Sequence, residues 1–167
     1  MPNSQTFRIK PIKELIGTYL SSPELSKGIV IDPFVRDSVF KEKTTYTNDL
    51  NPDYEADYHE DALYFLNRWT TDQISVVLFD PPYSPRQITE CYQSVGKKVT
   101  MTDTQASFWG NMKKAISRIV HKGGIVISCG WNSGGIGRSN GFELEEILLV
   151  PHGGWHNDTI VTVDRKL

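Results

Sequence analysis

Cysteine is scarce in this chain of 167 residues: Cys91 and Cys129 are the only two, and they are far apart in the sequence. This argues against a disulfide framework and a structural zinc site, and we expect both thiols to be reduced and buried. No run approaches the roughly eighteen apolar residues needed to span a bilayer. The N-terminus also lacks the basic start and apolar middle of a signal peptide. The sequence therefore predicts a cytoplasmic protein with no membrane association.

A basic excess is also missing, because 18 Lys and Arg face 20 Asp and Glu for a net charge of −2. A protein that binds many phosphates on its own usually carries a strongly basic surface, so extensive unaided binding of duplex nucleic acid is disfavoured. The length and the hydrophobic content of 38% suit one domain with a real core. We expect a single domain over residues 1–167, with residues 1–22 as a helical segment packing on it.

Short β-branched runs alternate with helical patterns along the chain, which is typical of an α/β fold with a parallel sheet and crossover helices. Strands are predicted at residues 28–32, 44–48, 74–80 and 125–129, with a short extended piece at 56–59. Helices are predicted at 11–20, from 61 onward, around 86–94 and at 104–120, the last closed by a glycine turn at 122–124. Residues 142–150 and 159–163 are joined by a short turn-rich segment and predict a terminal antiparallel hairpin.

Acidic residues follow the predicted strands. Asp32 ends the first strand, Asp49 follows the second, Asp61 follows the short extended piece, and Asp80 ends a strand that is otherwise continuously apolar. Ligands of open α/β sheets bind outside the carboxyl ends of the strands. Four carboxylates at that edge indicate a site that recognises hydroxyls, amines and amides rather than phosphates.

The sharpest motif is the tetrapeptide Asp80, Pro81, Pro82 and Tyr83. An amino group on a heteroaromatic ring is a poor nucleophile, and two acceptors on its N–H groups make its lone pair more available. A carboxylate and the adjoining backbone carbonyl, fixed by two prolines, would supply both acceptors. Tyr83 would offer a flat face for an extruded base. The alternative is a strand that simply ends at a proline turn, with Asp80 as a cap and Tyr83 as rim packing.

At this point the sequence resembles the amino-methyltransferases that use S-adenosylmethionine. The likeness is greatest to small phage-type, adenine-specific DNA methyltransferases with a DPPY motif and no target-recognition domain. The segments that carry it are GIVIDPF, TNDLNP, EDALYFL, LFDPPY, HKGGIVISCGW and GWHNDTIVTVDRK. The resemblance implies a Rossmann-like class I methyltransferase fold, with a mostly parallel central sheet and a C-terminal antiparallel hairpin.

The resemblance also implies a role for each matching residue. Those placed against the cofactor S-adenosylmethionine are Asp32, Pro33, Phe34, Asp49, Asp61 and Ala62. The first three would border the methionine part, Asp49 would accept from the ribose hydroxyls, and Asp61 would accept from the adenine amino group. The catalytic residues, which would hold the target amine, are Asp80, Pro81, Pro82 and Tyr83.

The chain departs from the family in two places. The family follows its first Asp-Pro-Phe with a glycine-rich turn, whereas this chain continues with Val35, Arg36, Asp37 and Ser38. Either Arg36 neutralises the cofactor carboxylate or the pocket is partly closed. Without a recognition domain, target recognition falls to residues 84–103, the loop 132–141 and the tip of the hairpin.

The leading hypothesis is an enzyme that transfers a methyl group from S-adenosylmethionine to the exocyclic amine of adenine in DNA. Methylation of a cytosine amine, or of guanine in RNA, remains open, as does a degenerate methyltransferase fold that only binds a partner. The near-neutral charge favours single-stranded or unpaired DNA, or a homodimer with a second surface. His152, His156 and Asp158 are interpreted as hydrogen-bonding residues of the hairpin, and no metal is expected.

Overall fold

The computed structural model describes residues 5–98, 106–154 and 157–167, which form an α/β fold around one six-stranded sheet. The strands are β1 (Val30–Asp32), β2 (Tyr46–Thr47), β3 (Ile74–Phe79), β4 (Val120–Gly130), β5 (Phe142–Val150) and β6 (Thr159–Lys166). Their order is β2-β1-β3-β4-β6-β5. The first four are parallel, and β6 runs antiparallel to both β4 and β5. The predicted mostly parallel sheet with a C-terminal antiparallel hairpin is therefore confirmed.

Helices cover both faces of this sheet. They are α1 (Lys10–Leu20), α2 (Ala62–Asn67), α3 (Pro85–Ser94) and α4 (Ala106–Ile119). Successive side chains of a strand point to opposite faces, so β3 contributes Val76 to the core with α1, and Val77 to the core with α2 and α4. All six residues of β3 are buried. The continuous apolar run in the sequence is explained by a central strand covered on both faces.

The second strand is shorter than predicted. Only Tyr46 and Thr47 pair with β1, and the predicted piece at 56–59 makes a single bridge, between Asn48 and Tyr58. The Asp57 carboxylate accepts from the backbone N–H and the hydroxyl of Thr47, both at 2.8 Å. A side chain thus takes a donor that a continuous ladder would use, so the piece at 56–59 adds no strand to the sheet.

The junction between α4 and β4 also differs from the prediction. Residues 104–105 of the predicted helix 104–120 lie outside the described residues, and α4 ends at Ile119. Val120 already pairs with Ile74 of β3, so the expected glycine turn at 122–124 lies within β4. Gly123 has a φ of 82°, and the register between β3 and β4 shifts there. The residues 122–124 therefore form an irregular part of β4, where a turn between helix and strand was predicted.

The topology brings the chemically interesting segments to one edge. The carboxyl ends of β1, β2 and β3 lie side by side because these strands are parallel. Gly130, at the end of β4, pairs with Ile160 near the start of β6, which places the hairpin connection at this same edge. None of the described helices has the length and apolar character required to cross a membrane.

Candidate active site

A cavity of about 430 Å³ opens at the carboxyl ends of β1, β2 and β3. Its lining includes these residues that the sequence analysis singled out: Pro33, Phe34, Asp49, Asp61, Ala62, Asp80, Pro81, Pro82 and Tyr83. Asp32 lies beneath this wall and is not part of the lining. We call this space the first cavity. The structure therefore gathers the two predicted sets of residues, for cofactor and for target, around one space.

Asp80 follows β3 and is half-buried at the mouth of the first cavity. Its Oδ1 accepts a hydrogen bond from the Tyr83 hydroxyl. Burial raises the pKa of Asp80, and hydrogen bonds from Tyr83 and Thr6 together with the charge of Arg36 partly offset that rise. Thr6 belongs to the segment before α1, and no sequence pattern pointed to it. The N-terminal segment thus contributes to the environment of the candidate catalytic carboxylate.

Tyr83 does more than offer a stacking face. Its hydroxyl binds Asp80, and its ring meets Trp131 at 5.6 Å between centroids with an interplanar angle of 69°. Its backbone N–H donates to Gln87 Oε1 of α3 at 2.6 Å. The motif alone did not predict that the Tyr83 hydroxyl would occupy an acceptor position of Asp80. A target amine could use the second lone pair of this oxygen, use Oδ2, or replace the hydroxyl.

Trp109 fixes the proline turn from the other side. It lies on α4, and its indole Nε1–H donates to the carbonyl oxygen of Pro82 at 2.9 Å. The preceding residue, Phe108, lines the first cavity. Because an indole N–H is only a donor, this bond sets the direction of the Pro82 carbonyl. The turn is thus held by its two prolines and by a tryptophan contributed from a distant part of the chain.

Asp49 is buried behind β2 and lines the first cavity. Its two carboxylate oxygens accept from the backbone N–H groups of Arg36, at 3.1 Å, and Asn51, at 2.9 Å. Burial raises the pKa of Asp49, while these two hydrogen bonds and the Arg36 charge act in the opposite direction. The carboxylate therefore ties the turn after β1 to the turn after β2. Its proposed contact with ribose would use the remaining lone pairs.

Asp61 is the N-cap of α2, because its Oδ1 accepts from the backbone N–H of Leu63 at 3.0 Å. Its Oδ2 accepts from the hydroxyl of Tyr92, on α3. Ala62 begins the helix and is also part of the cavity lining. Helix capping accounts for an aspartate at this position, and any further acceptor role toward a ligand is additional to it.

Asp32 is completely buried. Its Oδ1 accepts from the backbone N–H of Phe34 at 2.9 Å, while Oδ2 has no hydrogen-bond partner among the described residues. Burial raises the pKa of Asp32 to about 8. A buried polar oxygen without a partner lowers the free energy of unfolding, so Asp32 destabilises the fold.

The turn after β1 keeps an unusual backbone despite lacking glycine. Arg36 has a φ of 41°, in the left-handed region where side chains are disfavoured. Arg36 lines the first cavity, and the alternative of a partly closed pocket stays a prediction. Both cysteines are free, and Cys91 is half-buried in the same lining rather than fully buried as predicted, whereas Cys129 is buried.

A second cavity of about 520 Å³ lies on the other side of the proline turn at residues 80–83, the candidate catalytic turn. Pro81 and Tyr83 belong to both cavities, and Trp109, Lys113 and Trp131 contribute side walls to the second. Two residues of the tetrapeptide therefore line both cavities.

The loop 132–141, predicted to recognise a target, borders this second cavity through Asn132 and Gly135. Buried Asp164 holds the loop, since its Oδ2 accepts from the backbone N–H of Ile136 at 3.3 Å. A Cβ at Gly135 would lie 2.2 Å from that same carboxylate oxygen, so glycine is required there. Of the other predicted recognition segments, residues 85–94 form α3, and 99–103 and 155–156 lie outside the described residues.

The hairpin histidines were interpreted as hydrogen-bonding residues. His152 Nε2 lies 2.7 Å from the Thr159 hydroxyl, and the His152 backbone N–H donates to Asp158 Oδ1 at 3.2 Å. His156 lies outside the described residues. Within the part of the chain that the structure describes, no three His, Cys, Asp or Glu side chains are grouped to hold a metal ion.

Comparison with known proteins places the fold. No protein-family model matches the chain, and no curated protein matches it. Three of the matching solved structures each cover 93% of this chain or more. TrmN from Thermus thermophilus has a TM-score of 0.60 at 15% identity, with 48% of its own chain covered. An S-adenosylmethionine-dependent methyltransferase from Archaeoglobus fulgidus has a TM-score of 0.56 at 9% identity, with 94% of its chain covered.

A third match includes bound molecules. It is a Burkholderia thailandensis 1,6-didemethyltoxoflavin-N1-methyltransferase with its substrate and S-adenosylhomocysteine, at a TM-score of 0.55 and 12% identity. The alignment covers 94% of the present chain and 77% of that one. At these identities the likeness shows the fold alone. The chain has the Rossmann-like fold of the S-adenosylmethionine-dependent methyltransferases.

Proposed function

We propose that the protein transfers a methyl group from S-adenosylmethionine to an exocyclic amine, and that its target is the amino group of adenine in DNA. The observation that carries the proposal is the position of Asp80, Pro81, Pro82 and Tyr83. They follow a buried central strand, all four line the first cavity, and Pro81 and Tyr83 also line the second. This is where a carboxylate and a fixed backbone carbonyl can act on an amine presented to a methyl donor.

The first cavity fits the cofactor in the chemistry of its lining. Among the described lining residues, the carboxylates are Asp49, Glu60, Asp61, Asp80 and Glu90. Such a lining suits a ligand that carries a sulfonium and an ammonium group. Asp49 would bind the ribose hydroxyls, Asp61 with Ala62 would border the adenine, and Pro33 with Phe34 would border the methionine part above Asp32. When bound, the cofactor supplies an electrophilic methyl group on a positively charged sulfur.

The residues of the chain act on the amine. The Asp80 carboxylate accepts one N–H of the target amine and the Pro81 carbonyl accepts the other, which frees the nitrogen lone pair for in-line attack. The Tyr83 hydroxyl gives up its place on Asp80 as the amine arrives, and the ring then borders the base. The raised pKa of Asp80 suits it to take the proton that the amine loses once the new N–C bond has formed. No enzyme nucleophile is required.

The second cavity is the proposed target pocket. Trp131 is 38% exposed and packs edge-on against Tyr83, so an aromatic surface is available beside the catalytic turn. Lys113 gives this cavity a cationic side chain. With a net charge of −2, the chain has little basic surface with which to extract a base from a duplex, so an unpaired adenine is the favoured substrate.

An assay of modified nucleosides tests the proposal. The protein is incubated with methyl-labelled S-adenosylmethionine and with matched single-stranded DNA, duplex DNA and RNA, which are then digested and analysed by mass spectrometry. We expect N6-methyladenine from DNA with the wild type and none with Asp80→Ala. Asp37→Asn serves as the control, because Asp37 is an exposed aspartate outside the first cavity. Label in N4-methylcytosine, or in methylguanine from RNA, would keep the methyl transfer and replace the target.

The degenerate, non-catalytic alternative predicts that the cofactor does not bind. The absence of the glycine-rich turn is the feature that favours it. Calorimetric titration of the full chain with S-adenosylmethionine distinguishes the two. Saturable binding supports the enzyme, and no heat of binding at millimolar cofactor would overturn it in favour of a binding module.

A further inference from the structure

The turn after β1 contains Arg36, whose backbone conformation is disfavoured for a residue with a side chain. Arg36 has a φ of 41°, and Asp72 is the only other non-glycine residue of the described chain with a positive φ. Asparagine or glycine would adopt this conformation more easily. Residues held in disfavoured backbone regions concentrate at functional sites, where a side chain is needed in a place that only this backbone reaches. The turn is held by the hydrogen bond from Arg36 N to Asp49 Oδ2, at 3.1 Å.

The guanidinium group of Arg36 is available for a ligand. It is half-buried in the wall of the first cavity, and its Nη2 lies 3.8 Å from Cys91 Sγ. Within the described part of the chain, it forms no ion pair with a carboxylate. A thiol is a weak acceptor and does not compensate a partly desolvated cation. The side chain therefore carries unused donors directed toward the cavity.

The charges around this cavity make Arg36 distinctive. Of the described residues in the lining, it is the one cation, and its neighbours include Asp49 and Asp80. Burial lowers the pKa of Arg36, but Asp80, Cys91 and Asp49 outweigh that effect and raise it, so the group stays charged. A ligand carboxylate entering this acidic cavity would be repelled everywhere except beside Arg36.

We propose that Arg36 is the carboxylate anchor of the cofactor site, binding the α-carboxylate of the methionine part of S-adenosylmethionine. This inference rests on the function proposed above. A guanidinium presents parallel N–H donors that match a carboxylate in a bidentate pair. The side chain replaces the backbone floor that a glycine-rich turn would provide, and the positive φ keeps the turn in the shape that glycine would give it. Arg36 would therefore recognise the carboxylate end and leave the adenosine end to other residues.

The test compares two ligands that differ in one group. S-adenosylmethionine and its decarboxylated form share the adenosine, the sulfonium and the amine, and only the first has the carboxylate. Their affinities are measured by calorimetry on the full chain for the wild type, Arg36→Asn and Arg36→Lys. Asparagine tolerates a positive φ and removes the charge, while lysine keeps the charge at the same backbone strain. Arg86→Ala is the control for losing a cation, since Arg86 is exposed on α3.

We expect Arg36→Asn to weaken S-adenosylmethionine binding roughly ten- to a hundredfold, the size of a lost charge-assisted pair. The decarboxylated ligand should bind this variant as it binds the wild type, and Arg36→Lys should recover part of the loss. Equal weakening of both ligands would overturn the anchor in favour of a structural role for Arg36, and so would unchanged affinity for both. If the wild type bound neither ligand, the proposed function itself would fall, and this inference with it.

Discussion

Replacing Asp32 by asparagine should make the protein more stable at neutral pH, and the gain should depend on pH. Asp32 is fully buried, and its Oδ2 has no partner among the described residues. Asparagine has the same shape and keeps the oxygen that accepts from the Phe34 backbone N–H. The substitution removes the titration of this side chain, and its buried Nδ2 amide replaces the Oδ2–H of the protonated acid at a position with no partner among the described residues.

The magnitude follows from the pKa of about 8 that burial gives Asp32 in the folded chain. In the unfolded chain an aspartate titrates near 3.9, so between these values the folded state holds a proton that the unfolded state releases. Because the folded pKa of Asp32 is raised, its titration leaves the free energy of unfolding unchanged below about pH 4 and lowers it progressively as the pH rises toward 8. At pH 7 the loss is about 4 kcal/mol, taking about 1.36 kcal/mol for each pKa unit.

Urea unfolding of the wild type and Asp32→Asn at several pH values between 4.5 and 8 measures this difference. We expect the smallest difference in the free energy of unfolding at the acid end and a widening advantage of the variant toward pH 8. Asp49, Asp80 and Asp164 also have raised pKa values and titrate in both proteins, so Asp164 largely cancels in the difference, whereas Asp80 and Asp49 act on the pKa of Asp32 and contribute through that coupling. Asp37→Asn, an exposed change in the same loop, is the control. A difference that stayed constant with pH would refute the argument.

Three further predictions concern the catalytic turn, the cofactor and the substrate. Tyr83→Phe removes the donor that opposes the raised pKa of Asp80, so the acid limb of the pH–rate profile should move to higher pH; a shift to lower pH would contradict this. Asp49→Ala should weaken cofactor affinity about tenfold or more in calorimetry, with the rate at saturating cofactor within a few-fold; unchanged affinity would remove Asp49 from the site. Single-stranded oligonucleotides should be methylated faster than matched duplexes, and a monomer in sedimentation equally fast on duplexes would refute this.

Features with a regular local pattern were predictable from the sequence. The buried β3 and the β5–β6 hairpin were found because an unbroken apolar run and a short turn between two strands each have one common structural solution. The position of Asp80 followed from the end of that strand. The limits of β2 were not predictable, since the Asp57 carboxylate takes the Thr47 N–H and no propensity scale records that competition.

The contacts that set the environment of Asp80 and the Pro82 carbonyl were not predictable for another reason, because they join residues far apart in the sequence. Thr6 affects Asp80 across most of the first half of the chain, and Trp109 binds the Pro82 carbonyl from a helix 27 residues later. Neither residue belongs to a motif, and both have an ordinary explanation as packing residues. The best available signal was the adjacent Phe108–Trp109 pair, and both of these side chains pack against the apolar core with α2.

Several features that cost stability lie at the carboxyl ends of the parallel strands. Asp32 is buried and its Oδ2 has no hydrogen-bond partner among the described residues, Arg36 has a positive φ, and the charge of Asp80 acts on the pKa of both. Burial also raises the pKa of Asp80. The opposite faces of the sheet are packed with apolar side chains that follow the usual rules. Perturbed titration and backbone strain coincide most often where a site binds or transforms a ligand. A surface used only for docking would not require a buried acid, a strained cation and a fixed carbonyl around one cavity. Their coincidence favours the methyl-transfer proposal over the binding module. These residues, which lower the stability of the fold, are the same residues that would hold the cofactor and the amine.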